Sequence, residues 1–162
     1  MLLAKGHKVG FIASTDNHKG WPSVGVASSR IYAGIWTNSR SRQDIYNALY
    51  DRHTWACWDT KAIVKFEIGK AMQGDEITLV EPQNLTARIK MSVEAPLDVL
   101  EIVTENDHAI SVDVSNESLD IDTEIDLGTV KEETFFYLRA RQNDGALIYA
   151  SPIFVSVQSD ER

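Results

Sequence analysis

Leu85-Thr86-Ala87-Arg88-Ile89-Lys90-Met91-Ser92-Val93 alternates apolar and polar residues without a break. Period two marks a strand with one face in a core and the other in water. Toward the C-terminus, similar runs recur at 99–103, 110–114, 119–127, 135–140 and 147–157. Asn143-Asp144-Gly145 between the last two is a tight-turn signal. Toward the N-terminus, Ile63, Phe66 and Ile68 suggest a strand ending at Gly69. About seven strands over residues 63–162, with a turn every ten or so residues, predict an immunoglobulin-like antiparallel β-sandwich.

Asp120, Asp122, Glu124 and Asp126 alternate with Ile121, Thr123, Ile125 and Leu127. An EF-hand loop needs glycine at its sixth position and glutamate at its twelfth, and neither fits. The acids therefore read as the solvent face of one strand, where charge also discourages edge pairing.

Charge changes near residue 62. Residues 1–62 carry eight Lys/Arg against four Asp/Glu, and residues 63–162 carry eight against twenty. All four tryptophans lie in the first part. This shift reads as a domain boundary. The acidic second part repels phosphate backbones, which argues against nucleic acid as a partner. No stretch is apolar for long enough to span a bilayer, so no membrane partner is expected, and the chain reads as a soluble, cytoplasmic or exported protein of bacterial type. Cys57 is the single cysteine, which leaves neither an intrachain disulfide nor a cysteine-rich zinc site. It reads as a small buried apolar residue rather than a nucleophile.

In residues 1–62, Leu2–Lys5 followed by Gly6 reads as a last helical turn with its glycine stop. Val9-Gly10-Phe11-Ile12-Ala13-Ser14 then reads as a buried strand, residues 16–40 as a surface loop with a short strand at 31–35, and residues 41–52 as a helix capped by Ser41. His53–Trp58 breaks the helical period and reads as extended. Asp16 and His18 follow strand 9–14. Two residues apart at a strand end, they project to one side, and a carboxylate and an imidazole converging there can hold a cation. By spacing alone Asp-x-His is a weak motif. A Ser14/Asp16/His18 triad is disfavoured, because all three share one short segment and no glycine-flanked elbow presents the serine. Lys19, Arg30, Arg40 and Arg42 are candidates for phosphate binding or plain solvated surface. Trp21 and Trp36 either line a cleft or pack a loop against the sandwich. His53 and His108 read as structural or exposed.

Gly6-His7-Lys8-Val9-Gly10-Phe11-Ile12-Ala13-Ser14-Thr15-Asp16-Asn17-His18 resembles the last metal-binding motif of the PHP (polymerase and histidinol phosphatase) superfamily, in which a glycine-led strand ends in Ser/Thr-Asp-x-His. Residues 41–56 resemble the helix that follows in that family. Phe136–Gln142 and Ala150–Val155 are similar to the closing strands of PHP-like proteins with a C-terminal β-sandwich. The resemblance implies an α+β, mostly β chain: the last strand/helix unit of a (β/α)₇ barrel over residues 1–62, then an accessory sandwich over residues 63–162. It implies Asp16 and His18 as ligands of divalent Zn, Mn or Fe in a phosphoesterase that acts on a small-molecule phosphoester. The family's opening His-x-His and its middle ligands are missing, and His7, His53 and His108 do not replace them. The catalytic and substrate-binding residues are therefore not identified, and the chain alone is expected to be inactive. The alternative is a non-catalytic β-sandwich module for binding or assembly. A barrel strand without its neighbours needs cover, so the chain is expected either to form a homodimer or to fold that strand onto its own sandwich.

Overall fold

The computed structural model describes residues 2–18, 20, 29–114 and 118–158. Among the described residues, eleven strands, β1 (Ile31–Ile35), β2 (Thr54–Trp58), β3 (Ile63–Ile68), β4 (Ala71–Met72), β5 (Glu76–Leu79), β6 (Gln83–Ser92), β7 (Leu97–Val103), β8 (Ala109–Ser111), β9 (Asp120–Val130), β10 (Thr134–Gln142) and β11 (Leu147–Val157), one α-helix, α1 (Arg42–Tyr50), and two short 3₁₀ turns, Leu3–Lys5 and Glu105–Asp107, make up the regular structure. The strands form two sheets. The larger runs β1-β2-β11-β10-β7-β8, with β5 beside the second half of β11, and the smaller runs β4-β3-β6-β9.

The 85–93 alternation lies in and just beyond β6. Leu85, Ala87, Ile89 and Met91 are buried while Thr86, Arg88, Lys90 and Ser92 are exposed. The buried set meets Phe66 of β3 and, from the larger sheet, Leu100, Leu138, Ile148 and Ile153 in a single core cluster. The outer faces of β6 and β9 carry opposite charges: Arg88 makes two 3.1 Å bonds to Asp122, and Lys90 lies 3.5 Å from the same carboxylate. At the Asn143-Asp144-Gly145 turn, Gly145 has φ +90°, a conformation glycine adopts without a Cβ penalty. Gln73 is fully buried and continues the ladder where the two-residue β4 stops. Its Oε1 accepts from the Phe66 amide at 2.7 Å, and its Nε2 donates to the Val64 carbonyl at 3.2 Å.

The barrel unit expected over residues 1–62 is overturned. β1 and β2 pair antiparallel, and β2 pairs antiparallel with β11, with Trp55 opposite Ala150 and Cys57 opposite Ile148. A (β/α) barrel needs parallel strands joined by helices. Here the hydrogen-bonded ladder passes directly from residues 54–58 into the sandwich. Among the described residues the only parallel pairing is β5 with β11.

Val9–Ser14, expected as a barrel strand, joins no ladder. It is an arm across the outside of the larger sheet. Leu3 belongs to a second buried cluster with Val103, Phe135, Tyr137 and Phe154, against which Val9, Phe11 and Tyr149 pack. Phe11 meets Tyr137 edge-on, with ring centroids 5.2 Å apart at 83°, and Tyr149 at 6.3 Å and 88°. Two buried hydroxyls clasp its backbone. The Phe11 amide donates to Ser151 Oγ at 2.9 Å, and Thr54 Oγ1 donates to the Phe11 carbonyl at 2.7 Å. Thr54 has spent its one proton there, so the 2.8 Å contact between the two hydroxyls must run from Ser151 to Thr54. The arm is apolar because it covers an apolar sheet face of the chain's own sandwich. Ile12, on its other side, is 61% exposed.

Candidate functional site

From Phe11 to His18 the arm alternates between half-buried and exposed residues, which leaves Ile12, Ser14, Asp16 and His18 on the solvent side. Asp16 has φ +51°, an uncommon backbone for a non-glycine residue that aspartate tolerates better than most. His18 Nε2 lies 3.3 Å from Asp16 Oδ1, with both side chains more than four-fifths exposed. The pair therefore does converge, but on an arm in open solvent rather than at the rim of a buried sheet. The spacing suits one edge of a tetrahedral zinc site, since bonds of about 2.0–2.1 Å set ligand atoms roughly 3.3 Å apart. Two donors are half of such a set. Among the described residues no group of three or more His, Cys, Asp or Glu side chains is placed to hold a metal ion.

The other sequence candidates are scattered. Lys19 and Trp21 lie outside the described residues. Arg30 Nη2 donates to the Asp59 carbonyl at 2.6 Å, while Arg40 and Arg42 are exposed. Trp36 packs against Trp55, with centroids 5.6 Å apart, and its Nε1–H donates to the Val64 carbonyl at 2.7 Å. Cys57 is buried at 2% exposure, and that burial pushes its thiol pKa up, away from nucleophile chemistry. His108 is exposed.

Sequence reasoning missed the polar junction around the end of α1. Ser41 Oγ accepts from the Asp44 amide at 3.1 Å and caps the helix. Asp44 also accepts a hydrogen bond from Ser39, and the Ser39 and Ser41 hydroxyls hold its carboxyl below the usual aspartate range. After α1, Arg52 takes φ +63° and sends Nε to the Gly74 carbonyl at 3.0 Å and Nη2 to Glu76 at 3.0 Å. Lys8 from the arm meets the same Glu76 at 2.6 Å. His53 Nε2 lies 2.8 Å from Asp75 Oδ1, and Asp75 Oδ2 accepts from the Met72 amide at 2.8 Å. The Ser41 cap is the one the sequence announces, whereas the contacts of Arg52, His53 and Lys8 join residues 22 or more positions apart, so no local spacing announces them. For those long-range contacts the one readable signal was His53 directly after a helix end.

Beside this junction a cavity of about 500 Å³ opens between α1 and the β3–β4 edge, with Trp36, Asn47, Asp51, His53 and Lys65 in its wall. A second, of about 590 Å³, has an apolar wall that includes Ile68, Ile77 and Leu85.

No family model matches the chain. An uncharacterized protein of Chlamydia pneumoniae is 26% identical over 174 aligned residues, which cover 96% of this chain and 28% of that protein. Uncharacterized proteins of Chlamydia muridarum and of Chlamydia trachomatis serovar D are each 28% identical over 137 residues, 74% of this chain and 22% of theirs. The chain thus spans between a fifth and a third of the length of the curated relatives it matches. Among solved structures, the fibronectin(III)-like modules of Clostridium thermocellum CbhA align with a TM-score of 0.35 and 19% identity, covering 58% of this chain and 98% of theirs. No helix among the described residues is long and apolar enough to cross a membrane.

Proposed function

We propose that this chain is a non-catalytic β-sandwich module that serves binding or assembly within a longer protein. One observation carries the reading: the segment expected to be a barrel unit bearing metal ligands is spent on building the sandwich. The arm seals the outside of the larger sheet, and β1 and β2 widen it. Arg52, His53 and Thr54 each tie two parts of the fold together. The test is turnover of p-nitrophenyl phosphate and bis(p-nitrophenyl) phosphate by the purified chain with Mn²⁺ or Zn²⁺. The expected rate equals that of metal in buffer. Metal-dependent turnover that disappears in Asp16→Ala would overturn the reading.

A second reading rests on the 3.3 Å Asp16–His18 spacing together with the PHP resemblance. In it, these two side chains donate to a metal centre completed by residues elsewhere in a longer protein. Zinc titration by calorimetry then shows binding that weakens in Asp16→Ala and in His18→Ala. Isotherms unchanged by both substitutions remove this reading.

A further inference from the structure

We infer that the cavity between α1 and the β3–β4 edge is a binding site for a neutral polyhydroxylated ring, of the size of a mono- or disaccharide. This rests on the module reading above and supplies that module with a ligand class. The volume, about 500 Å³, falls inside the range of small-molecule sites, roughly 300–1,000 Å³.

The wall mixes donors and acceptors that the fold leaves unspent. Asp51 and Asn38 make no side-chain hydrogen bond or ion pair among the described residues. Asn47 Oδ1 accepts from Gln43 Nε2 at 2.8 Å, which leaves the Asn47 amino group with two free protons. His53 is held through Nε2 by Asp75, so its ring is fixed in place with Nδ1 as its remaining polar atom. A carboxylate and a carboxamide side by side accept from and donate to adjacent hydroxyls, which both give and take hydrogen bonds. The indole of Trp36, anchored by its N–H to the β3 edge, supplies an apolar surface for ring C–H groups.

Charge and hydrogen-bonding capacity together argue against the competing ligand classes. A phosphate ester or other anion meets the Asp44 and Asp51 carboxylates. The Lys65 ammonium in the same wall is already paired with Glu67 Oε1 at 2.7 Å, so it offers an anion little compensation, and an organic cation, though drawn by the two carboxylates, leaves the Asn38 and Asn47 amide protons without an acceptor. A neutral polyol meets neither penalty.

The experiment is a ¹⁵N–¹H titration of the whole chain that follows the Trp36 indole N–H and the Asn38 and Asn47 side-chain amides. The probes are methyl β-D-glucopyranoside, cellobiose and N-acetylglucosamine, with choline and inorganic phosphate as comparators. The expected result is saturable shifts at those groups with a sugar at a Kd of roughly millimolar order. Asp51→Ala and Asn47→Ala, with unchanged melting temperatures, should each weaken binding about tenfold. The inference is overturned if no sugar gives a saturable shift up to about 50 mM, if the shifts survive both substitutions, or if choline or phosphate saturates where the sugars do not. Failure here with no phosphoesterase turnover leaves the module reading standing. Turnover with sugar binding intact removes the module reading and leaves the site.

Discussion

Phe11→Ala tests the central structural claim, that the segment before Asp16 is an arm seated on the larger sheet. Truncating a fully buried phenylalanine costs about 3–5 kcal/mol. Phe11 is half-buried, which reduces that term to roughly 2 kcal/mol. Its edge-on contacts with Tyr137 and Tyr149 add about 0.5–1.5 kcal/mol beyond area. The main-chain clasp by Ser151 and Thr54 survives, because the substitution leaves the peptide groups in place. The expected loss is therefore about 2.5–3.5 kcal/mol, or roughly 5–14 °C in Tm for a chain of this size. Urea unfolding should show a lower midpoint at unchanged slope, since the surface exposed on unfolding barely changes. A double-mutant cycle with Tyr137→Leu should return a coupling of about 0.5–1.5 kcal/mol. A loss under about 0.5 kcal/mol with no coupling would mean that the arm does not lie on the sheet.

Two further outcomes follow from local geometry. At Gly34 an added Cβ would sit 1.9 Å from Trp55 Cε2, and Trp55 is buried and pinned by its N–H bond to the Ala62 carbonyl at 2.8 Å. Gly34→Ala should therefore cost at least about 1–3 kcal/mol in urea unfolding, and an unchanged midpoint would deny the close β1–β2 approach. The Lys8 ammonium, with Arg52 behind it, holds the Glu76 carboxyl below the usual glutamate range. A depressed folded-state pKa adds stability above the unfolded value, about 4.3, that is lost as pH falls through the folded value. Glu76 is about half exposed, so the contribution is below about 1 kcal/mol. Melting temperature should fall more steeply below about pH 4.3 in the native chain than in Glu76→Gln, and parallel profiles would refute the linkage.

Local signals were legible where one face of one element meets one environment. The 85–93 run places β6 with its apolar side inward, because period two in the sequence is period two in space. Ser41 and Asp44 mark the start of α1 because a cap acts over three residues. The acids at 120, 122, 124 and 126 stand on the solvent face of β9, where the alternation puts them. Val9–Ser14 shows where this reasoning ends. An apolar run is equally compatible with a buried strand and with an arm over an apolar sheet, since both shed water from Phe11 and its neighbours.

By itself, then, the sequence determined which residues seek a core, where the helix begins and which faces carry charge. These depend on neighbours a few positions away along the chain. The tertiary structure alone decided that β2 docks on β11 across some ninety residues, that the arm covers the larger sheet from outside, and that Trp36, Asn47, Asp51 and His53 share one cavity wall. Strand pairing is chosen by which edges lie open once the whole core has formed, and the wall of a cavity is set by which elements then become neighbours, so neither is written in local spacing.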